Sequence, residues 1–161
     1  MRLMEKQLQK LFVEKLKVSN WLVKEQLFDS SNKNRIDAVA YHTAFDVWFG
    51  FELKVPTSIK DYTKCLRQMI RYRKANFGKN HPAVLCFITP KNINGIIRRF
   101  FWRWGFLVGD YESMKVDCVN GESIVTLDLK NPHSNRYHNP KEQIQEVRSR
   151  VKKYWSDIDA D

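Results

Sequence analysis

Three charged residues in this chain have the types and spacing of a hydrolytic site. Asp37 lies in the apolar segment RIDAVAYHT, and Glu52 and Lys54 occupy alternate positions of WFGFELKVP. Residues two apart in a β-strand point to the same face, so Glu52 and Lys54 would share one. Two carboxylates on neighbouring strands repel each other, and a hard divalent cation relieves that repulsion. A lysine beside them could orient or deprotonate a water, or stabilise negative charge, as phosphodiester hydrolysis requires.

The same three residues also have a purely structural interpretation. Glu52 and Lys54 could form a charge pair on a solvated face, which contributes little to stability, and Asp37 could simply end a turn. Asp37 follows Ile36 within an apolar segment, however, and not within the polar turn DSSNKN that precedes it. We therefore favour a functional site.

Hydrophobic periodicity predicts the elements that would hold these residues. Predicted helices cover residues 3–17, 58–77, 91–105 and 141–155. Predicted strands cover residues 20–28, 35–43, 47–55, 83–89 and 106–111, followed by a hairpin around Asn120-Gly121. Short connections between the first three strands indicate an antiparallel meander. The order α-β-β-β-α-β-α-β, then hairpin and helix, predicts a single α/β domain over residues 1–161, with a mixed central sheet flanked by helices.

Composition narrows the classes of partner. The chain has 161 residues, 43% of them hydrophobic, which is typical of one globular domain with a proper core. Lys and Arg number 28 against 18 Asp and Glu, a net charge of +10. An excess of that size predicts a polyanionic partner, with nucleic acid ahead of an acidic membrane surface.

Sequence features also favour an intracellular, non-membrane protein. The N-terminal residues MRLMEKQLQKLF are charged throughout, unlike a secretory leader, and no run of about 18 apolar residues could span a membrane. Cys65, Cys86 and Cys118 are scattered and odd in number. We expect them to be reduced, buried thiols, and not a zinc site, in a cytoplasmic or DNA-associated protein.

The pattern resembles the PD-(D/E)xK nucleases, the restriction-endonuclease-like superfamily, and particularly its Holliday-junction-resolvase-like and VRR-type members. The resemblance rests on RID at 35–37, ELK at 52–54 and the αβββαβ order, and covers roughly residues 3–90. It implies a restriction-endonuclease-like core in which Asp37 and Glu52 bind Mg²⁺, or Mn²⁺ in its place, with the Leu53 carbonyl as a further ligand. The chain departs from the pattern at Ile36, because no proline precedes Asp37.

The resemblance also implies site residues on the helices before and after the meander. A glutamate on the first helix would assist the metal, and Glu5 fits that position best, with Glu14 in reserve. Gln68 on the next helix would assist Lys54 or the phosphate, and Tyr72 one turn later would pack or bind a phosphate. The implied activity is metal-dependent endonucleolytic cleavage of DNA. The alternatives are a junction resolvase, which needs a homodimer, and an inactive nucleic-acid-binding relative.

Two basic segments could contact the nucleic-acid backbone. The helix after the motif carries Lys64, Arg67, Arg71, Arg73 and Lys74, which we expect to bind phosphates together with Tyr72. The segment IIRRFFWRWG carries Arg98, Arg99 and Arg103 between aromatic residues. We expect most of those rings in the core and the arginines at DNA or at an interface.

Two further sets of residues have less specific signals. His133 and His138 lack partners at metal-ligand spacing, so we expect them to be loop residues. Trp102, Trp104 and Trp155 are the apolar residues that could build a dimer interface.

Overall fold

The helices and strands of the structure follow the predicted order along the chain. The computed structural model describes residues 2–118, 124–132 and 139–159. The α-helices within those ranges are α1 (Arg2–Val18), α2 (Ile59–Lys74), α3 (Gly95–Arg103) and α4 (Pro140–Asp159). The strands are β1 (Leu22–Phe28), β2 (Arg35–His42), β3 (Val47–Leu53), β4 (Val84–Thr89), β5 (Leu107–Asp110), β6 (Lys115–Asp117) and β7 (Ile124–Thr126). A 3₁₀ turn at Gly78–Asn80, which the sequence did not predict, precedes β4.

The strands of the described chain form one mixed sheet in sequential order, β1 to β7. Strands β1, β2 and β3 are an antiparallel meander, as predicted from their short connections. Strands β3, β4 and β5 run parallel because α2 and α3 provide the crossovers, and β5, β6 and β7 are again antiparallel. These pairings confirm an α/β fold with a mixed sheet.

Helices cover both faces of the sheet. Buried residues of α1 and α4 pack with Phe49, Phe51 and Leu53 of β3 on one face. Buried residues of α2 and α3 pack with β4 and β5 on the other face. The predicted alternation of β3 is confirmed, since its phenylalanines are buried in the first layer and Trp48 packs against the second. Glu52 is therefore turned toward the α2 side of the sheet.

Most element boundaries differ from the sequence prediction by one to four residues, and the end of β3 and the start of α3 are two of these differences. Strand β3 ends at Leu53 and not at residue 55, although the Lys54 amide still donates to the Ile88 carbonyl at 3.0 Å. Helix α3 begins at Gly95 and not at residue 91, because the Asn94 side chain caps it by accepting from the Ile96 amide at 2.7 Å. Such a cap fixes the first turn more strongly than hydrophobic spacing does.

Helix α2 begins directly after the strand that carries the Glu52–Lys54 motif. Pro56 cannot donate to a sheet ladder, and the Ser58 side chain then caps α2 by accepting from the Asp61 amide at 3.4 Å. Asp61 in turn accepts from the Thr57 amide at 2.8 Å. This reciprocal cap holds the first turn of α2 close to the end of β3.

The cysteines and the C-terminal hairpin follow the sequence prediction. Cys65, Cys86 and Cys118 are buried free thiols, as expected. Within the described ranges, no helix is both long and apolar enough to cross a bilayer. Strands β6 and β7 pair as the predicted hairpin, and the Asn120-Gly121 turn lies outside the described residues.

Candidate active site

The backbones of β2 and β3 stop pairing where the candidate acids lie. Their last ladder pair is Ala38 with Phe51. One step further along, the Leu53 amide donates to Oδ2 of Asp37 at 2.9 Å, so a side chain replaces the backbone acceptor. The hydrogen bond fixes the Asp37 carboxylate against the strand that carries Glu52 and Lys54.

The other neighbour of Asp37 is also irregular. In β1, Gln26 has a φ of 53° and falls between two regular pairs, opposite Asp37. A left-handed conformation in a non-glycine residue is uncommon and occurs often beside functional sites. The Gln26 side chain donates to Oε1 of Gln9 at 3.1 Å, and Gln9 donates to the Asp37 carbonyl at 3.2 Å. Side chains from α1 and β1 thus replace the missing ladder contacts of Asp37.

Glu52 is enclosed on the opposite side of β3 from the phenylalanine core. Its residue is only 3% exposed. Oε1 lies 3.8 Å from Nζ of Lys54, and Oε2 lies 3.2 Å from the Tyr72 hydroxyl. That hydroxyl is also 2.6 Å from the Arg35 carbonyl and accepts a hydrogen bond from the Gln68 amide. The predicted residues Gln68 and Tyr72 therefore form one polar chain that ends on Glu52.

Burial sets the protonation of the Glu52–Lys54 pair. Desolvation, reinforced by the negative charge of Asp37, raises the pKa of Glu52 to about 8, although Lys54 and the Tyr72 hydroxyl oppose the increase. Burial lowers the pKa of Lys54, but the charges of Glu52, Glu5 and Asp37 outweigh burial and raise it overall. Because the Lys54 side chain is 31% exposed, its ammonium keeps some solvation, and the lysine carries the charge at neutral pH.

Burial also raises the pKa of Asp37. Desolvation raises its pKa against the opposing effects of the Leu53 amide and of the charges on Lys54 and Arg35, and the charge of Glu5 adds to the increase. Glu5 is therefore electrostatically coupled to the carboxylate it was predicted to assist. Glu14, the reserve candidate, is exposed.

A cleft of about 270 Å³ opens beside these residues. Glu5 of α1, Lys54 and Gln68 line it, together with Lys64 and the buried thiol of Cys65 on α2. The cleft therefore joins the first helix, the end of β3 and the second helix. Among the predicted catalytic residues, Glu5, Lys54 and Gln68 would meet a ligand in this cleft.

The donor set suits a hard cation held by few protein ligands. Within the described ranges, no three His, Cys, Asp or Glu side chains converge as a complete metal cage. Asp37 and Glu52 are nevertheless two carboxylates whose mutual repulsion raises the pKa of Glu52. Mg²⁺ commonly binds through one or two carboxylates and keeps waters and phosphate oxygens as its other ligands. Asp37 and Glu52 fit that pattern, with Glu5 near them, and the role of the Leu53 carbonyl stays a prediction.

The basic residues predicted on α2 divide between two sides of the helix. Lys64, Arg67, Arg71 and Lys74 are exposed. Lys64 lines the cleft beside Lys54, and Arg71 lines a neighbouring cleft that shares Gln68. Arg73 instead donates to the Trp104 carbonyl at 3.2 Å, so it ties α2 to the end of α3.

The residues predicted on α3 lie at a different surface. Arg98 pairs with Asp117 at 3.4 Å, whereas Arg99 and Arg103 line a groove with the exposed side chains of Ile96 and Phe100. Phe101 is buried, and Trp102 and Trp104 pack against the α2–α3 layer, so most of the rings are core, as expected. His133, His138 and the side chain of Trp155 lie outside the described residues.

Two residues of the site were missed by the sequence reasoning, and each had a usable signal. Gln9 lies four residues after Glu5, which places both on one face of a helix. Arg35 lies two residues before Asp37 in a strand, which places both on one side of the sheet. Neither signal predicts a role at the site, because that role depends on the break in strand pairing at Asp37.

Within the described ranges, the chain is an α/β protein with a mixed seven-stranded sheet, in which Asp37, Glu52 and Lys54 lie together and Lys54 lines a cleft. Comparisons with protein-family models, curated proteins and solved structures found no significant match. Membership in the PD-(D/E)xK superfamily therefore stays a prediction from the sequence.

Proposed function

We propose that the protein is a metal-dependent endonuclease that hydrolyses phosphodiester bonds in DNA, built on a restriction-endonuclease-like core. One observation carries the proposal. The Asp37 carboxylate accepts a hydrogen bond from the amide of Leu53, the residue between Glu52 and Lys54, so two acids and one lysine from adjacent strands lie together, and Lys54 lines an open cleft. A net charge of +10 and exposed cations on α2 support a polyanionic substrate.

Asp37 and Glu52 would hold the metal, with Glu5 assisting. A bound Mg²⁺, or Mn²⁺, supplies charge neutralisation at the scissile phosphate and a more acidic water. Asp37 suits this role because the Leu53 amide fixes its orientation on a strand and not on a loop. Glu52 suits it because a divalent cation would favour the charged carboxylate that burial disfavours.

Lys54 acts as a cation and not as a base. The surrounding carboxylates raise its pKa above the ordinary value, so a proton stays on Nζ at neutral pH. Its ammonium can orient a water and stabilise negative charge that develops on the phosphate oxygens. Gln68 acts through Tyr72, whose hydroxyl contacts Glu52, and is therefore a positioning residue.

The test is a cleavage panel of linear duplex, single-stranded, flapped and four-way DNA with Mg²⁺ or Mn²⁺. We expect cleavage by the wild-type protein, and a loss of at least about 100-fold in Asp37→Asn and in Lys54→Ala, as for removal of a charge-stabilising group. Asp128→Asn is the matched control, because Asp128 is exposed on the chain after β7. Metal-dependent cleavage that survives in both site variants would refute the assignment.

A binding protein without hydrolytic activity is the second candidate. The observation that favours it is that Glu52 and Asp37 both have raised pKa values, while no complete metal cage exists among the described residues. Calorimetric titration with Mg²⁺ separates the two candidates. Metal binding at millimolar concentration that disappears in Asp37→Asn supports the nuclease, and no binding supports the inactive protein.

A further inference from the structure

A second cleft lies beside the candidate active site and has no role in the chemistry proposed above. Its volume is about 270 Å³. Lys33 and Arg35 line it from the β1–β2 connection and β2, Phe28 from the end of β1, and Arg71 from α2. The cleft thus combines three cations with two aromatic residues, the exposed Phe28 and the buried Tyr72.

Hydrogen bonds hold the β1–β2 loop that carries Lys33 and Asn34 of this cleft. The Asp29 carboxylate accepts hydrogen bonds from the Lys33 amide at 3.1 Å and from the Asn34 side chain at 2.9 Å. These contacts, with the Asn34 side chain first, lower the pKa of Asp29 to about 2, so the carboxylate stays charged and holds the loop. The Ser30 amide donates to the Asn76 carbonyl at 2.8 Å, which ties the loop to the end of α2.

The cations of this cleft are available to a ligand. Lys33, Arg35 and Arg71 are exposed, and within the described ranges none of them forms an ion pair with a carboxylate. The nearest acid of the loop, Asp29, already uses both oxygens in hydrogen bonds within the loop. Arg35 also acts electrostatically on Asp37. Three positive charges around one cavity favour an anion with more than one charge, such as the backbone of a nucleic acid.

The second cleft is a neighbour of the candidate active site. Gln68 lines both cavities. Arg35 precedes Asp37 by two residues in β2, and its carbonyl accepts from the Tyr72 hydroxyl that also contacts Glu52. A strand with one phosphate at Asp37 and Glu52 would therefore bring an adjacent nucleotide to this cleft.

The aromatic wall selects the form of the strand. Phe28 pairs with Arg35 in the β1–β2 ladder, and its side chain is 50% exposed. A ring beside phosphate-binding cations stacks on a base whose face is uncovered, as in proteins that bind single strands. In a duplex both faces of each base are covered by neighbouring pairs, so the ring would gain little.

We propose that the cleft of Phe28, Lys33, Arg35 and Arg71 binds an unpaired nucleotide next to the scissile phosphate, so that the substrate has a single-stranded segment at the cut. The cations hold the phosphate, and the Phe28 ring stacks on the base. This inference rests on the proposed nuclease function, because that function places the scissile phosphate at the metal that Asp37 and Glu52 would hold.

Binding without cleavage tests the inference directly. Fluorescence anisotropy with EDTA present compares a labelled 12-nucleotide oligothymidylate with a 12-base-pair duplex. We expect Phe28→Ala to weaken binding of the single strand by about 10-fold and of the duplex by less than about 2-fold, the loss of one stacked base. Phe28→Trp should retain binding of the single strand. The double change Lys33→Ala, Arg71→Ala should weaken that binding and reduce its dependence on salt concentration by about one to two released counterions.

Exposed residues away from this cleft supply matched controls. Phe100 on α3 is an exposed aromatic with the same 50% exposure as Phe28, and Lys152 and Lys153 are exposed cations on α4. Phe100→Ala and the double change Lys152→Ala, Lys153→Ala should leave single-strand binding unchanged. If these control variants lose binding and the Phe28 variant does not, the inference is wrong.

Three further outcomes are equally decisive. Equal loss of single-strand and duplex binding in Phe28→Ala overturns the single-strand preference. Binding of acidic polyglutamate in place of the oligonucleotide overturns the choice of nucleic acid. Phe28-dependent binding together with no cleavage of any substrate in Mg²⁺ supports this cleft and overturns only the hydrolytic function.

Discussion

The backbone amide of Leu53 donates to the Asp37 carboxylate at 2.9 Å, one step beyond the last ladder pair of β2 and β3. This contact allows the two strands to stop pairing without leaving the amide unsatisfied. It also places Asp37 next to Leu53, the residue between Glu52 and Lys54. The site is thus built from a defect in the sheet, and side chains from α1 and α2 complete it.

Stability without metal should decrease as the pH rises. The pKa of Glu52 is about 8 in the folded protein against an ordinary value of 4.5, so the folded state retains a proton that the unfolded state loses. Its contribution to stability is complete below about pH 4.5 and is lost by about pH 8. We expect a decrease on the order of 2 kcal/mol, or about 5 °C in Tm. Thermal unfolding in EDTA from pH 5 to pH 8.5 measures it.

Glu52→Gln is the control for this pH dependence. The amide has the size of the protonated acid and cannot ionise, so most of the decrease of Tm with pH should disappear. A smaller decrease should remain because the pKa of Asp37 is also raised. An unchanged slope in the variant would assign the effect to other groups. Added Mg²⁺ should raise Tm of the wild-type protein most at the alkaline end, because a cation stabilises the charged carboxylates.

Glu5 and Glu14 should differ sharply in their effect on activity. Glu5 lines the cleft and contributes to the raised pKa of Asp37, whereas Glu14 is exposed. We expect Glu5→Gln to require about 10-fold more Mg²⁺ for half-maximal cleavage, as for loss of a group that supports metal ligands. Glu14→Gln should behave as wild type. If instead Glu14→Gln required more Mg²⁺ and Glu5→Gln did not, Glu14 would be the acid of α1 that assists the metal.

The Tyr72 hydroxyl should contribute measurably to the stability of the fold. Tyr72→Phe removes the partner of the Arg35 carbonyl and of buried Glu52, which should cost about 1–3 kcal/mol, or several degrees in Tm. Tyr62→Phe is the matched control, because Tyr62 packs by its ring on Phe87 with centroids 6.0 Å apart. Equal changes in Tm for the two variants would show that the hydroxyl network contributes nothing.

Gly109 should not tolerate a side chain. A Cβ at this position of β5 would meet the Lys115 carbonyl oxygen and would lie 2.6 Å from a methyl of Val116. Backbone cannot move aside as a side-chain tip can, so Gly109→Ala should lower the free energy of unfolding by about 3 kcal/mol. Gly95→Ala, where a Cβ meets open space, should change it by less than about 0.5 kcal/mol. Urea denaturation of both variants provides the comparison.

The sequence by itself determined the element order and the face that Glu52 occupies. Alternation in residues 47–55 is a local property of a strand, so the separation of Phe49 and Phe51 from Glu52 could be predicted without the partner strands. Helix periodicity also implied that Glu5 and Glu14 point in roughly opposite directions, since nine residues at about 100° each make two and a half turns. It could not say which of the two faces the acids.

Only the tertiary structure decided that choice and the shape of the site. The pairing break at Asp37 depends on Gln9 from α1 and on Gln26 from β1, which are distant in sequence from Glu52. The polar chain from Gln68 through Tyr72 to Glu52 requires α2 to lie against β3. Local periodicity cannot predict such contacts, because they arise from the packing of separate elements. The cleft at Phe28 is formed in the same way, by a β1–β2 loop that a backbone hydrogen bond holds against the end of α2.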